Sequence, residues 1–299
     1  MPSYQARLTR ALVRINTALV PSFSPVGYQR FMISEVAPRI ASGGESCDLE
    51  NAVDCTVPAS WVVPRSAADD GVILYLHGGG YVIGSIKSHR KMVEQIAEAA
   101  GCRALIIDYR LAPECEFPGA VEDAAAAYRW LLCTGYSPEN IVIAGDSAGG
   151  GLTVAALVSL RDSGEPLPAA AVLLSPWTDL QVVGGSASSN ARRDPMLDVN
   201  GLRVWAGMYA GSHDPRAPLA SPIHAELTGL PPMLIQVGSY EILLDDARRL
   251  ADRAERDGVP VDLEVWEGMW HVWQFFSPRV PESAEAIARI GEYCREKLA

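Results

Sequence analysis

The chain has no CxxC pair, no Cys/His spacing of a zinc site, no GxGxxG and no Walker-type lysine after its glycine run. These absences exclude a structural zinc, a dinucleotide-binding loop and a phosphate cradle, and no metal or cofactor is implied. No stretch approaches the ~20 uninterrupted apolar residues that a membrane span needs. At the N-terminus Arg7, Arg10 and Arg14 interrupt the apolar positions, and no small-residue cleavage site follows, which argues against a cleaved signal. No run of Lys and Arg exceeds two, and acidic residues outnumber basic ones 36 to 25. The net charge of -11 therefore argues against nucleic acid and anionic membrane as partners. Internal repeats are absent, and the only compositionally simple stretch is Gly184 to Ser189.

The six cysteines (Cys47, Cys55, Cys102, Cys115, Cys133 and Cys294) are scattered. Reduced thiols and a cytoplasmic location are the expectation, with Cys47 and Cys55 the pair a disulfide would use. With 299 residues, 48% of them hydrophobic, the chain can bury a substantial core. Leu8, Leu12, Ile15 and Leu19 share one helical face, so Tyr4 to Val20 is expected to form an amphipathic helix docked on the body, membrane-surface binding being the alternative. From about residue 70, short apolar runs alternate with helical patterns, the signature of a parallel sheet covered on both faces. Strands are expected at Val72 to Leu76, Ala104 to Ile107, Ile141 to Ala144, Ala170 to Leu174, Met233 to Val237 and Val261 to Val265. Helices are expected around Ser88 to Ala100, Pro118 to Cys133, Ala148 to Arg161, Glu241 to Asp257 and Pro281 to Lys297. Asn51 to Val63 reads as an opening antiparallel pair. Between Leu180 and Leu230 the rhythm breaks into a long Gly/Ser/Asp/Pro-rich connection with one helix, Val199 to Tyr209, and connections of that length are usually functional.

Gly145-Asp146-Ser147-Ala148-Gly149 lies directly after one expected strand and directly before a helix. That is where a nucleophile elbow holds a serine in a strained turn, its hydroxyl clear of the sheet and the helix amino end beside it. A glycine-rich turn with Ser147 as a helix cap is the plainer alternative. His77-Gly78-Gly79-Gly80 ends another strand. The N–H groups of Gly79 and Gly80, with that of Ala148, are candidates for an oxyanion hole.

With HGGG (His77 to Gly80), Asp108 to Glu114, Phe117-Pro118, GDSAGG (Gly145 to Gly150), Ser175-Pro176-Trp177 and a late histidine, the chain resembles the hormone-sensitive-lipase-like, bacterial family IV carboxylesterases of the α/β-hydrolase superfamily. The resemblance covers nearly the whole chain. It implies an α/β fold of the α/β-hydrolase type, a mostly parallel sheet with helices on both faces and a small helical cap. The implied organisation is N-terminal cap helices over 1–48, a catalytic core over 49–180 and 226–299, and a cap insertion over 181–225. The implied activity is serine-dependent hydrolysis of short- to medium-chain acyl esters, with Ser147 as nucleophile and His271 as general base. A lactone or acetyl-amide hydrolase using the same residues, and a non-catalytic receptor, are the alternatives; the receptor reading sits badly with a retained histidine. Two copies are expected to pair through the last strand and helix.

The acid departs from the family pattern. Where relatives carry Tyr-Asp-Pro-Leu-Arg-Asp, this chain reads Tyr240-Glu241-Ile242-Leu243-Leu244-Asp245. Register favours Glu241, whose carboxylate can orient an imidazole as aspartate does, and Asp245 is its rival. Asp146 is expected to hydrogen-bond behind the site, His77 to brace the glycine loop, and His89 to begin an exposed helix. Arg110 is expected to pair with a carboxylate. Tyr81, Trp205, Met208, Trp270 and Trp273 are the apolar candidates for the substrate pocket, with core packing as the alternative for each.

Overall fold

Short runs of aliphatic residues become the strands of one eight-stranded sheet, ordered β1-β2-β4-β3-β5-β6-β7-β8. The computed structural model describes residues 1–19, 24–36, 48–52, 54–64 and 67–298. The strands are β1 (Asp48–Asn51), β2 (Ala59–Val63), β3 (Ala68–Leu76), β4 (Cys102–Ile107), β5 (Ile141–Asp146), β6 (Ala170–Leu174), β7 (Met233–Gly238) and β8 (Val261–Trp266). β2 runs antiparallel to β1 and β4, and β3 to β8 are parallel. Each expected strand is present, several extended by one to four residues.

Strand alternation divides the interior in two. Val72, Leu74 and Leu76 face one core, and Ile73 and Tyr75 face the other. The first core receives α4 (Gly119–Cys133), α5 (Ala148–Asp162) and α8 (Leu244–Arg256). The second receives α3 (Ile86–Ala100) and α9 (Pro281–Lys297). Burial on both faces explains why the strands read as continuous apolar runs rather than alternating ones.

Parallel register then gathers the loops at one edge. Leu76 of β3 pairs with Gly145 of β5, so the glycine run and Ser147 leave the sheet side by side. β6, β7 and β8 deliver Ser175, Glu241 and His271 to the same carboxyl edge, where open α/β sheets bind ligands. The long connection between β6 and β7 holds α6 (Ser186–Ser189) and α7 (Val199–Ala210).

The chain begins with α1 (Tyr4–Leu19) and α2 (Val26–Phe31), the latter running into a π-turn at Met32–Val36. Val20 lies outside the described residues. Helix α1 forms as its pattern predicts, but Leu8, Leu12, Ile15 and Leu19 are exposed rather than packed on the body. Its contacts with the body instead include Ala6, the Ser3–Glu282 hydrogen bonds and Arg14 on the backbone of 192 and 193. Cys55, Cys102, Cys115, Cys133 and Cys294 are free thiols, so Cys55 is in no disulfide; Cys47 lies outside the described residues. No helix among the described residues is long and apolar enough to cross a membrane.

Candidate active site

Ser147 joins the end of β5 to α5 with φ 53° and ψ -119°, a left-handed conformation costly to a residue with a Cβ. Two backbone bonds clamp it there: Ser147 N–H donates to the Leu174 carbonyl at 2.8 Å, and its own carbonyl accepts from Trp177 N–H at 2.9 Å. The turn also needs Gly149, because a Cβ at that position would lie 1.9 Å from the Leu76 carbonyl oxygen. The hydroxyl therefore stands at the amino end of α5, where free N–H groups favour negative charge.

Beside it runs the glycine loop. Gly80 has φ 61°, and a Cβ there would strike the Trp205 ring at 2.2 Å, so only glycine fits beneath that indole. The N–H groups of Gly79, Gly80 and Ala148 have no acceptor among the described residues. The loop is tied to the elbow through Asp146, whose Oδ1 accepts from Gly78 N–H at 3.0 Å and from the Tyr75 hydroxyl at 2.9 Å. Burial works against the Asp146 charge, but His89, 3.4 Å away, and these hydrogen bonds hold its carboxyl below the usual range. His77 stacks on Tyr109 and contacts the Gly78 carbonyl at 2.8 Å. Burial, then the neighbouring His89, push His77 down to about 3, so it braces the loop as a neutral ring.

His271 follows β8, and its Nδ1 lies 2.9 Å from Glu241 Oε2. The other Glu241 oxygen accepts from the Ser175 hydroxyl at 2.7 Å and from Gly238 N–H at 2.6 Å. Ser175 in turn accepts from Val272 N–H at 3.1 Å, tying the histidine loop to the end of β6. Burial disfavours the charged imidazole. The hydrogen bond and charge of Glu241, with Asp194 and Asp146 beyond, nonetheless raise the His271 pKa above its ordinary 6.5. Asp245 is engaged elsewhere: it accepts from Ser186 N–H at 2.8 Å and lies 3.6 Å from Arg248.

The β6–β7 connection grips this acid loop. Asn190 donates to the carbonyls of Ser239 and Glu241, and Ser186 donates to that of Ile242. Asp194 Oδ2 accepts from Ile242 N–H at 3.0 Å, while its Oδ1 accepts from Met196 and Leu197. Those last two residues line the cavity that holds Ser147 and His271.

That cavity has a volume of 570 Å³, within the range for small-molecule sites. Of the five apolar pocket candidates, it is lined by Trp205 alone. Tyr81 is buried in the core and stacked on Tyr209 at 3.7 Å, and Met208 packs half-buried against the same core. Trp270 and Trp273 fill a small core under the β8 side, because the histidine loop turns its indoles inward. The cavity's apolar wall comes from Met32, Ile33, Val36, Met196, Leu197 and Phe275. His89 is likewise buried rather than exposed, since α3 turns it towards Gly78 and Asp146. Arg110 pairs with Asp123 at 2.8 Å and Glu122 at 2.9 Å. Asp194 and Asn190 carry no recognisable motif; only the length of their connection marked the region as functional. No cluster of three or more potential metal ligands occurs among the described residues.

Comparison with known proteins agrees with this architecture. Residues 73–275 match the model of an α/β-hydrolase-fold family. An acetyl-hydrolase of Streptomyces hygroscopicus is 51% identical over 249 residues, covering 83% of this chain and 82% of that protein. The crystal structure of an esterase from the bacterial hormone-sensitive lipase family superposes with a TM-score of 0.96 at 49% identity, over 100% of both chains. The esterase EstE5, in a crystal soaked with p-nitrophenyl butyrate, gives 0.94 at 43% identity over 99% of both chains. The chain belongs to the α/β-hydrolase family, in its hormone-sensitive-lipase-like branch of bacterial esterases, and is a serine carboxylic ester hydrolase.

Proposed function

We propose that Ser147, His271 and Glu241 form the catalytic triad and that Gly79, Gly80 and Ala148 supply the oxyanion hole. The observation that carries this reading is the 2.9 Å Glu241–His271 contact on the same cavity as an elbow serine. In acylation His271 takes the hydroxyl proton of Ser147 as Oγ adds to the ester carbonyl. The unpaired N–H groups hold the resulting oxyanion, and His271 returns the proton to the departing alcohol. Water, activated by the same imidazole, then releases the acid. The Glu241 carboxylate orients the imidazole and stabilises the imidazolium.

The favoured substrates are short- to medium-chain acyl esters, supported by an apolar cavity of 570 Å³ and by the acetyl-hydrolase relative. That relative's name also favours removal of acetyl groups, from oxygen or nitrogen; product analysis on matched ester and amide pairs separates the two. The described residues of 1–36, with 181–225, act as a cap over the core, since Asn16, Met32, Met196 and Trp205 all line the cavity. Five free thiols suit a reducing compartment, and we place the enzyme in the cytoplasm. A homodimer would use the edge strand β8, whose Val265 is exposed.

The test is a p-nitrophenyl ester series with covalent capture. Wild type should turn over acetate and butyrate, slow beyond about ten acyl carbons, and take up one aryl phosphonate per chain. Ser147→Ala should lose both turnover and label. Rates that rise beyond about ten carbons, or label retained in Ser147→Ala, would overturn the assignment.

A further inference from the structure

The opening helix is amphipathic in the wrong sense for a helix held against a protein body. Tyr4, Leu8, Leu12, Ile15 and Leu19 form one stripe, and each is 49–69% exposed. The face turned to the body is instead Ala6, Arg10, Val13 and Thr17, buried or half-buried. These four are offset from Leu8, Leu12, Ile15 and Leu19 by two residues, or about 200° around the axis, so the apolar stripe points directly outward. A contiguous apolar strip of this kind marks an interaction surface.

The charge beside the stripe indicates what covers it. Residues 1–34 contain four arginines and no carboxylate, in a chain whose net charge is -11. Arg7 and Arg14 lie along one flank of α1, and exposed Arg192 and Arg193 adjoin it: Arg14 donates to both their carbonyls, while Arg10, on the body side, and Arg193 lie 4.4 and 5.5 Å from the Tyr240 ring centre. None of these five is in an ion pair among the described residues. The neighbouring Asp194 is buried and already accepts from three backbone N–H groups. At physiological salt the Debye length is about 8 Å, so this local cationic flank, and not the distant negative total, governs what the helix meets. An apolar face edged by arginine suits an anionic lipid layer. A second copy packed antiparallel on the stripe would set the arginine flank against itself.

The placement has a functional sense. Asn16, itself exposed, and Thr17 line the Ser147 cavity, so the cavity opens beside α1. We propose that the outward face of α1 docks on an anionic phospholipid surface and holds the cavity's opening against it. Substrate esters dissolved in that layer would then enter without crossing bulk water. The docking itself does not depend on the triad assignment, and its test reads binding apart from turnover.

The full chain is sedimented with vesicles of phosphatidylcholine, with and without phosphatidylglycerol. Partitioning should be at least about tenfold stronger on the anionic vesicles and should weaken with salt. Leu12→Glu/Ile15→Glu, at exposed positions, should abolish it and leave hydrolysis of dissolved p-nitrophenyl acetate within about twofold of wild type. Arg7→Glu/Arg192→Glu should remove the preference for phosphatidylglycerol. A chain that stays in the supernatant with both vesicles overturns the proposal. So does binding that survives Leu12→Glu/Ile15→Glu. A dimer that Ile15→Glu splits, with no vesicle binding, overturns it in favour of a second copy.

Discussion

In the proposed triad Glu241 carries one methylene more than an aspartate would, and the surrounding residues absorb it. Ser175 and Gly238 hold one carboxylate oxygen, which leaves the other 2.9 Å from His271. The consequence is an imidazole whose pKa is raised. Catalysis requires the neutral imidazole, so activity is full above that pKa and falls as pH drops through it. We expect the acid limb of kcat/KM to have its midpoint above pH 6.5. Neutralising the partner in Glu241→Gln should move the limb to lower pH, because the stabilised imidazolium is lost. A flat profile from about pH 5 to 8 would count against His271 as the base. At this scale the placement of Ser147, His271 and the glycines at one sheet edge was legible, because the roles proposed for them each demand one residue type in one local setting. The proposed acid was legible only as a choice between Glu241 and Asp245. Nothing in the sequence marks the Ser186 backbone that occupies Asp245.

Among the elements, the strands were the most legible, since burial on both faces leaves uninterrupted apolar runs with clear ends. The pocket was the least. Trp270 and Trp273 sit beside His271 in sequence, yet the loop turns them into a core, and chain proximity carries no information about that turn. Met32, Ile33 and Phe275 come from elements distant in sequence and meet only through the fold. The β6–β7 connection joins the cavity wall to the Glu241 loop: Asp194 holds Ile242 on one side and Met196 and Leu197 on the other. Asp194→Asn presents an amide donor to at least one of those N–H groups and removes a charge that favours the His271 imidazolium. It should lower kcat by about tenfold or more, raise KM, and shift the acid limb downward by less than Glu241→Gln does. Rates measured against pH check this; a change in KM alone would show that the residue shapes only the wall.

For the whole molecule, the parallel sheet acts as a jig. Register places Gly78, Ser147, Ser175, Glu241 and His271 at one edge, although they span almost two hundred positions of sequence. Fold class was legible because alternation of strand and helix is a property of the entire chain. The orientation of α1 was not, since helical periodicity identifies an apolar face without saying whether protein, lipid or another copy meets it. The proposed function depends on one cavity carrying one triad. The most direct test is hydrolysis of p-nitrophenyl butyrate by wild type, Glu241→Gln and Asp245→Asn in parallel. Glu241→Gln should lose about a thousandfold or more in kcat, while Asp245→Asn should stay within about tenfold of wild type. The reverse order would contradict the triad as drawn here and make Asp245 its acid.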